Sequence, residues 1–384
     1  MRLITFKPKR GGAARVGVML DEANAVDIGE VAKRARKKLP FDAADMVSLI
    51  ASGKTGLAAI AALLKKYKGK GFKLSAVKLL SPIPQPRKNI FCVGWNYLDH
   101  FEEGAKARPH VQEMPLHPAF FTKASTTMNG PFDDVPAHTG VTEKLDWEVE
   151  LGVVIGQGGR YISEADALAH VAGYCVINDV SERAFQMQST QWDKGKGCDT
   201  FGPFGPYLVT LDEVGDLNSL GLWLDVNGKR MQTGNTSNMV FTVAQLVSYI
   251  SRFMTLEPGD IITTGTLRAF RAQGPMRQLV GLITGQVTQL RDRLTGKTHF
   301  IASPRIGVVT RVAEAHSDRV GGIEGVARAK AELVQALPAD GVAVLNADDH
   351  RVLAMRPLTA ASVVTFGESA TADVRITDLT LDDR

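Results

Sequence analysis

The sequence is poor in cysteine and aromatic residues and lacks a long hydrophobic run. Its 384 residues include only three cysteines, and aromatic residues make up 7%. Three cysteines, none in a C-x-x-C pair, cannot form a disulfide framework, which favours a reducing, cytoplasmic location. No apolar run approaches the roughly 20 residues of a membrane helix, and the N-terminal segment lacks the apolar stretch of a signal peptide. We therefore expect no membrane partner.

Charge is balanced overall but unevenly distributed along the chain. The formal net charge is +4, yet residues 1–90 contain 19 Lys and Arg against 6 Asp and Glu. The basic segment at 65–73, KKYKGKGFK, would suit nucleic acid, but it lacks interleaved aromatic residues. We interpret it as a solvated surface and predict no nucleic-acid partner.

The pattern of apolar residues predicts an α+β protein with four parts. Residues 1–80 read as a small α/β domain, which includes one long helical stretch, AADMVSLIASGKTGLAAIAALLKKY. Residues 81–266 are rich in short strands punctuated by Gly and Pro, typical of a mainly antiparallel β architecture with flanking helices. Residues 267–300 have weak periodicity and are predicted to be a linker or irregular junction. Residues 301–384 alternate strands with a helix, as in an α/β segment.

Three carboxylates suggest a metal site. Glu148 and Glu150 lie two apart in the strand-like segment DWEVELGVVIG, so they share one face of the strand. Asp179 ends the next strand-like segment, GYCVIND. Three carboxylates completed by water and substrate oxygens would form an all-oxygen site for Mg²⁺ or Mn²⁺. The alternative is a solvated polar face, because like charges side by side on a strand are tolerated in water.

Two further groups of polar residues are candidates for catalysis and substrate binding. His100 and Glu103 lie three apart, so on a helical turn the carboxylate could orient the imidazole as a general base. A surface contact is the alternative for this pair. Arg183, Gln186 and Lys196 lie in glycine-punctuated segments that could bind an anionic, oxygen-rich substrate. The Gly-Lys pairs near Lys196 do not form a phosphate loop.

Taken together and in this order, the segments of residues 1–266 resemble the fumarylacetoacetate hydrolase family. The stretches that carry the resemblance include FCVGWNYLDH, FFTKAS, LDWEVELGVVIG, VAGYCVINDVSER, GKGCDTFGPFGPYLVT and DIITTGT. The resemblance implies a mixed β-roll catalytic domain behind a small N-terminal domain, usually as a homodimer. It also implies Mg²⁺ at Glu148, Glu150 and Asp179, and Thr266 at the position of a substrate-loop threonine.

The resemblance further implies a reaction. His100 and Glu103 match a water-activating pair, Lys196 a catalytic position, and Arg183 and Gln186 positions around the substrate. The expected enzyme cleaves a C–C bond of a small anionic 2-oxo acid, such as an acylpyruvate, through a metal-stabilised enolate. Decarboxylation and isomerisation use the same enolate, so they stay open. A metal-binding fusion protein with a damaged site is an alternative, because the family's usual continuation after Thr266 is not visible.

Residues 301–384 resemble part of a Mur ligase instead. The matching stretches are PRIGVVTRVAEAH, GGIEGVARAKAELVQALPADGVAVLNADD and VVTFGESATADVRITDL. An ATP-dependent amide ligase is therefore a rival reading. It requires a glycine-rich phosphate loop, and Arg291 stands where the first glycine of GxxxxGK[ST] would precede Gly296-Lys297-Thr298. We interpret this segment as a fragment fused to a hydrolase-type domain.

Overall fold

The structure is a computed structural model in which the following residues are described: 1–9, 11–107, 114–136, 142, 144–227, 229–267, 287–291, 306–309, 322–335, 337, 339 and 341–375. Helices and strands are mixed throughout this part of the chain. The predicted α+β class is confirmed.

The N-terminal strands form one end of a large sheet. They are β1 (Arg2–Pro8), β2 (Arg15–Met19), β3 (Asn24–Asp27), β4 (Phe72–Lys73) and β5 (Val77–Leu80). Strand β1 pairs with β2 and β5, and its start also pairs with a strand near residue 209. The sheet of residues 1–80 is therefore continuous with strands later in the chain.

The long helical stretch predicted in this region is two helices. They follow α1 (Ile28–Arg34) as α2 (Met46–Ala51) and α3 (Gly53–Lys66). The break lies at Gly53, whose φ of +56° is left-handed and incompatible with continuing a helix. Asp45 caps α2 by accepting a hydrogen bond from the Val47 amide. The apolar periodicity continues across the break, so periodicity alone did not reveal it.

The central part of the chain contributes most of the strands. These are β6 (Ile90–Gly94), β7 (Ala119–Lys123), β8 (Met128–Asn129), β9 (Leu145–Asp146), β10 (Val149–Ile155), β11 (Val171–Asn178), β12 (Ser181–Glu182), β13 (Gly202–Pro203), β14 (Leu208–Thr210), β15 (Gly221–Val226), β16 (Lys229–Asn235), β17 (Ile261–Thr266) and β18 (Val287–Arg291). The helices between them are α4 (Leu98–Ala107), α5 (Arg183–Gln186), α6 (Asp193–Lys196) and α7 (Val243–Phe253).

The large sheet has the order β4-β3-β2-β1-β14-β11-β10-β17-β6-β7, with β5 attached to β1. Strands β10 and β11 are antiparallel, whereas β17 and β6 are parallel, so the sheet is mixed. Alternate residues of β10 belong to different apolar clusters: Val154 packs in one, and Leu151 and Val153 pack in the other. Both faces of β10 are therefore covered, and every residue of the strand is buried.

A smaller sheet includes a strand from the predicted junction. Its order is β16-β15-β18, and β18 pairs antiparallel with β15 from Gly221 opposite Arg291 to Asp225 opposite Val287. The segment 267–300 therefore contains a strand that pairs with the preceding domain. The domain boundaries derived from the sequence remain a prediction.

The C-terminal part has its own parallel sheet and apolar core. Strands β19 (Ile306–Val309), β20 (Val342–Asn346), β21 (Ser362–Gly367) and β22 (Val374–Arg375) pair in that order, with helices α8 (Gly322–Gln335) and α9 (His350–Leu353). Residues such as Val334, Leu345 and Val352 form its core. Parallel strands joined through helices agree with the α/β pattern of the sequence. Across the described residues of the whole chain, no helix has the length and apolarity needed to cross a membrane.

Candidate metal centre and active site

The pairing of β10 with β11 brings three carboxylates together. Val149, the first residue of β10, lies opposite Asn178, the last residue of β11, so Glu148 and Asp179 are neighbours. The Asp179 amide donates to the Glu148 carbonyl at 2.8 Å. Glu148 immediately precedes β10, and Glu150 is the second residue of that strand. One carboxylate oxygen from each of Glu148, Glu150 and Asp179 lies within 4.8 Å of the other two.

The three carboxylates are buried. Their residues are 4%, 1% and 0% exposed for Glu148, Glu150 and Asp179, respectively. The alternative of a solvated polar face is therefore wrong, because the packing on both faces of the sheet excludes water from this position. Three buried like charges are unfavourable unless cations neutralise them.

Three basic side chains surround the cluster. The Lys196 ammonium donates to Glu148 and, at 2.6 Å, to Oδ2 of Asp179. The Arg183 guanidinium pairs with Glu148 and, through Nε at 2.9 Å, with Asp146. The Lys123 ammonium donates to Oδ1 of Asp179 at 2.6 Å and is fully buried. Each of Glu148 and Asp179 is therefore paired with two cationic groups that are buried or partly buried.

The two glutamates have opposite electrostatic surroundings. Burial favours the neutral acid, but Arg183 and Lys196 outweigh it and hold the pKa of Glu148 well below its usual range, with a further contribution from His100. Burial and the neighbouring carboxylates of Asp179 and Glu148 raise the pKa of Glu150 to about 8. Glu150 is therefore the carboxylate that gains most from an added cation.

The donor set fits a hard divalent cation. It consists of three buried carboxylate oxygens close enough together to bind one ion, and it includes no sulfur or imidazole. Mg²⁺ and Mn²⁺ prefer such oxygen ligands and leave the other coordination positions to water or substrate.

Two short helices hold the candidate substrate residues against the cluster. Arg183 and Gln186 are the first and last residues of α5, and Nη1 of Arg183 donates to Oε1 of Gln186 at 2.9 Å. Helix α6 packs closely on α5, because a Cβ at Gly195 would lie 2.3 Å from the Glu182 carbonyl oxygen. This close approach brings Lys196, the last residue of α6, against the carboxylates.

Thr266 ends β17 beside the cluster, and its hydroxyl is held in place. It donates to the Val149 carbonyl at 3.0 Å and accepts from Nε2 of Gln232 at 2.9 Å. Gln232 also accepts a hydrogen bond from the Val149 amide at 2.8 Å. The neighbouring Gly265 amide donates to Oε2 of Glu150 at 2.9 Å. Strand β17 therefore fixes both a candidate substrate residue and a candidate ligand.

His100 lies in the first turn of α4 and is half-buried. Its effect on the pKa of Glu148 shows that the imidazole is within electrostatic range of the cluster. The start of α4 is attached to a later segment, because Asn238 donates to the Asp99 carboxylate at 3.1 Å. Glu103 lies in the same helix, but its side chain is outside the described residues, so its pairing with His100 remains a prediction.

Sequence reasoning missed three buried polar residues at this site: Lys123, Asp146 and Gln232. Lys123 lies two residues after the buried Phe121 on β7, so strand alternation places it on an inward face. A lysine at an inward position was a usable signal. Asp146 and Gln232 had no comparable local signal, because their partners are distant in sequence or in another strand.

Comparison with known families and proteins agrees with this geometry. The family described as fumarylacetoacetate (FAA) hydrolase C-terminal matches residues 89–292. The match extends beyond Thr266 and includes β18, so the family resemblance does not end at residue 266. A Burkholderia multivorans protein named "Putative hydrolase" is 55% identical over 175 residues, which are 45% of this chain and 60% of that protein. The chain thus spans about 60% of the length of the curated relatives it matches.

Solved structures of similar proteins match a longer part of the chain. A fumarylacetoacetate hydrolase from Exiguobacterium antarcticum is 32% identical with a TM-score of 0.59, covering 78% of this chain and 98% of that chain. A maleylpyruvate hydrolase from Sphingobium sp. SYK-6, in complex with manganese(II) ion and pyruvate, is 29% identical with a TM-score of 0.55. It covers 70% of this chain and 89% of that chain.

The C-terminal part matches a different family. The Mur ligase middle domain matches residues 290–384, which confirms the second resemblance. This segment begins where the first match ends, and the carboxylate cluster lies wholly within the first match. The first match covers more than half of the chain and is supported by the structure over most of its length, and from this we conclude that the chain belongs to the fumarylacetoacetate hydrolase family.

Proposed function

We propose that this chain is a divalent-metal-dependent hydrolase or lyase that cleaves a C–C bond of a small anionic 2-oxo acid of the acylpyruvate type. The observation that carries the proposal is the convergence of three buried carboxylates with Lys196 and Arg183 on one point. Metal ligands and cationic groups in contact suit a substrate that carries both a carboxylate and a keto oxygen.

Glu148, Glu150 and Asp179 would hold the metal, Mg²⁺ or Mn²⁺. When bound, it would polarise the carboxylate and keto oxygens of a 2-oxo acid and favour negative charge on them. The manganese(II) and pyruvate in the related maleylpyruvate hydrolase support this choice of ion and substrate class.

Lys196 and Arg183 would attract the anionic substrate and stabilise charge that develops on it. Both side chains contact Glu148, and the carboxylates raise the pKa of Lys196 above its usual value although burial alone would lower it. Lys196 therefore stays an ammonium and acts as an electrostatic group rather than as a base. Gln186 lies beside them as a hydrogen-bonding group for substrate oxygens. Thr266 would serve a substrate only by exchanging the hydrogen bond that its hydroxyl donates to the Val149 carbonyl.

His100, oriented by Glu103, would accept a proton from the attacking water at an imidazole nitrogen. The water oxygen would bond to the far acyl carbon, and the C–C bond would break to give a carboxylic acid and an enolate that protonates to the 2-oxo acid. Decarboxylation needs no attacking water, so the same site could serve both reactions with different demands on His100.

We also propose that the protein is a cytoplasmic homodimer. Size-exclusion chromatography with light scattering would test the dimer.

The test is turnover by the purified full chain, with Mg²⁺ or Mn²⁺ and after chelation, on acylpyruvates and on oxaloacetate. We expect metal-dependent turnover of at least one substrate, and loss of most of that turnover in Glu150→Gln. Asp260→Asn is the matched control. It also converts a buried carboxylate to an amide, but at the start of β17, where Asp260 pairs with Lys88. Turnover that does not depend on metal, or equal losses in both variants, would contradict the proposal.

A further inference from the structure

We propose that Lys123 is a positioning residue that makes Asp179 a one-oxygen metal ligand and thereby favours small octahedral cations, Mg²⁺ and Mn²⁺, over Ca²⁺. The inference rests on the metal role given to Glu148, Glu150 and Asp179 in the proposed function. It concerns which oxygen of Asp179 the metal uses and why.

All three donor directions of the Lys123 ammonium are used within the protein. It donates to Oδ1 of Asp179 at 2.6 Å, to the Val180 carbonyl at 3.1 Å and to the Lys196 carbonyl. An ammonium has three N–H groups, so none is left for a substrate. The side chain is 0% exposed, which also keeps it from contacting a diffusing ligand. Lys123 therefore acts through its neighbours.

The contact with Lys123 gives the two oxygens of the Asp179 carboxylate different surroundings. Oδ1 is committed to Lys123, whereas Oδ2 is turned toward the cluster, where it lies 2.6 Å from Nζ of Lys196. To offer both oxygens to a metal, Asp179 would have to share or weaken the buried, charge-assisted hydrogen bond that Oδ1 accepts from Lys123. Such a bond is strong, and breaking a buried ion pair is costly.

The same ammonium joins the two segments that build the site. Asp179 and Val180 follow β11, and Lys196 ends α6, so the three acceptors bring these segments to β7. A buried charge is expensive, and an apolar side chain of similar length would fill the same space without that cost. A lysine at this position therefore makes sense if it fixes the orientation of Asp179 toward the bound cation.

The number of ligand oxygens separates the candidate cations. Ca²⁺ takes six to eight oxygens and commonly binds carboxylates through both oxygens, whereas Mg²⁺ requires a near-ideal octahedron with several waters. A cluster in which Asp179 offers one oxygen leaves positions for water and substrate and suits the smaller octahedral ions. Removing Lys123 would let Asp179 rotate and present both oxygens, which favours Ca²⁺.

The first test uses the unaltered chain, crystallised with Mn²⁺. We expect one Asp179 oxygen, Oδ2, on the metal and Oδ1 still within hydrogen-bond distance of Nζ of Lys123. An Asp179 bound through both oxygens, or through Oδ1, would overturn the role of Lys123 while leaving the metal site intact. Absence of Mn²⁺ from the three carboxylates would instead overturn the proposed metal site, and the Lys123 inference with it.

The second test measures Mn²⁺ and Ca²⁺ affinity by calorimetry in Lys123→Met and in the control Lys88→Met. Lys88 also pairs with a buried aspartate, Asp260, but at the opposite end of β17. We expect the Mn²⁺ affinity of Lys123→Met to fall about 10- to 100-fold, the size typical for losing an outer-shell partner, with a smaller loss for Ca²⁺, so that the preference for Mn²⁺ falls. In Lys88→Met we expect the preference to stay unchanged. An unchanged preference in a folded Lys123→Met would overturn the inference. If that variant does not fold, the crystal structure of the unaltered chain decides.

Discussion

Glu148 lies just before β10 and Glu150 lies within it, two residues further on, yet the two side chains have different surroundings before any metal binds. Glu148 contacts two cations, Arg183 and Lys196. Glu150 accepts a hydrogen bond from the Gly265 amide, and the carboxylates beside it raise its pKa. The surroundings of Glu148 thus stabilise its negative charge, whereas those of Glu150 disfavour it.

This difference predicts opposite effects on stability when chelator keeps metal away. Glu150→Gln should keep or raise the melting temperature, because Gln avoids both the cost of protonating this glutamate on folding near neutral pH and the like charge that the glutamate carries above about pH 8. Glu148→Gln should lower the free energy of unfolding by about 3–5 kcal/mol, because it leaves two cations without their shared carboxylate. Thermal unfolding of both variants in excess EDTA is the measurement. Similar losses in the two variants would show that packing, not charge, dominates at these positions.

At the scale of elements, the end of β17 depends on a glycine. Gly265 has a φ of +88°, and a Cβ there would lie 3.0 Å from Cβ of Asn96 and from the Val93 carbonyl oxygen. Its amide is the donor to Glu150, and the carbonyl of Thr264 accepts from Nδ2 of Asn96 at 2.9 Å. The turn into the site therefore needs both a left-handed backbone and the absence of a side chain.

Gly265→Ala should destabilise the protein and weaken Mn²⁺ binding. The left-handed backbone alone costs about 1–2 kcal/mol with a Cβ, and the contacts with Val93 and Asn96 add to this. The control is Gly53→Ala, because Gly53 has a φ of +56° but no atom within 4 Å of its Cβ position. Gly53→Ala should show only the backbone cost and normal Mn²⁺ affinity. Chemical denaturation and calorimetry measure the two quantities, and equal behaviour of the two variants would contradict this account.

At the scale of the whole molecule, the chain joins two families near residue 290. The fumarylacetoacetate hydrolase match ends at residue 292 and the Mur ligase match begins at residue 290. Strand β18 lies at this junction and pairs with β15 over five residues. The C-terminal strands pair with one another in a separate sheet. We therefore predict that the first part ends after β18.

Two shortened chains test this limit. A chain of residues 1–300 keeps β18, and we expect it to remain soluble and to bind Mn²⁺ as the full chain does. A chain of residues 1–266 lacks β18 and exposes the edge of β15, which favours association between copies. Size-exclusion chromatography and calorimetry compare them. Equal solubility and stability of the two shortened chains would show that β18 contributes little to the fold.

Local patterns in the sequence determined the fold class, the choice of Glu148 and Glu150 as paired candidate ligands, and the family; the prediction that both lie on one strand was wrong for Glu148, which precedes β10. Strand and helix periodicity, residue type and motif order are properties of neighbouring residues, so they can be read without a structure. Tertiary structure alone decided that these carboxylates are buried, that Glu148 and Glu150 differ electrostatically, and that Lys123 holds Asp179. Those facts depend on contacts between residues far apart in the chain, such as the 56 residues that separate Lys123 from Asp179. Strand pairing, and no local pattern, brings such residues into contact.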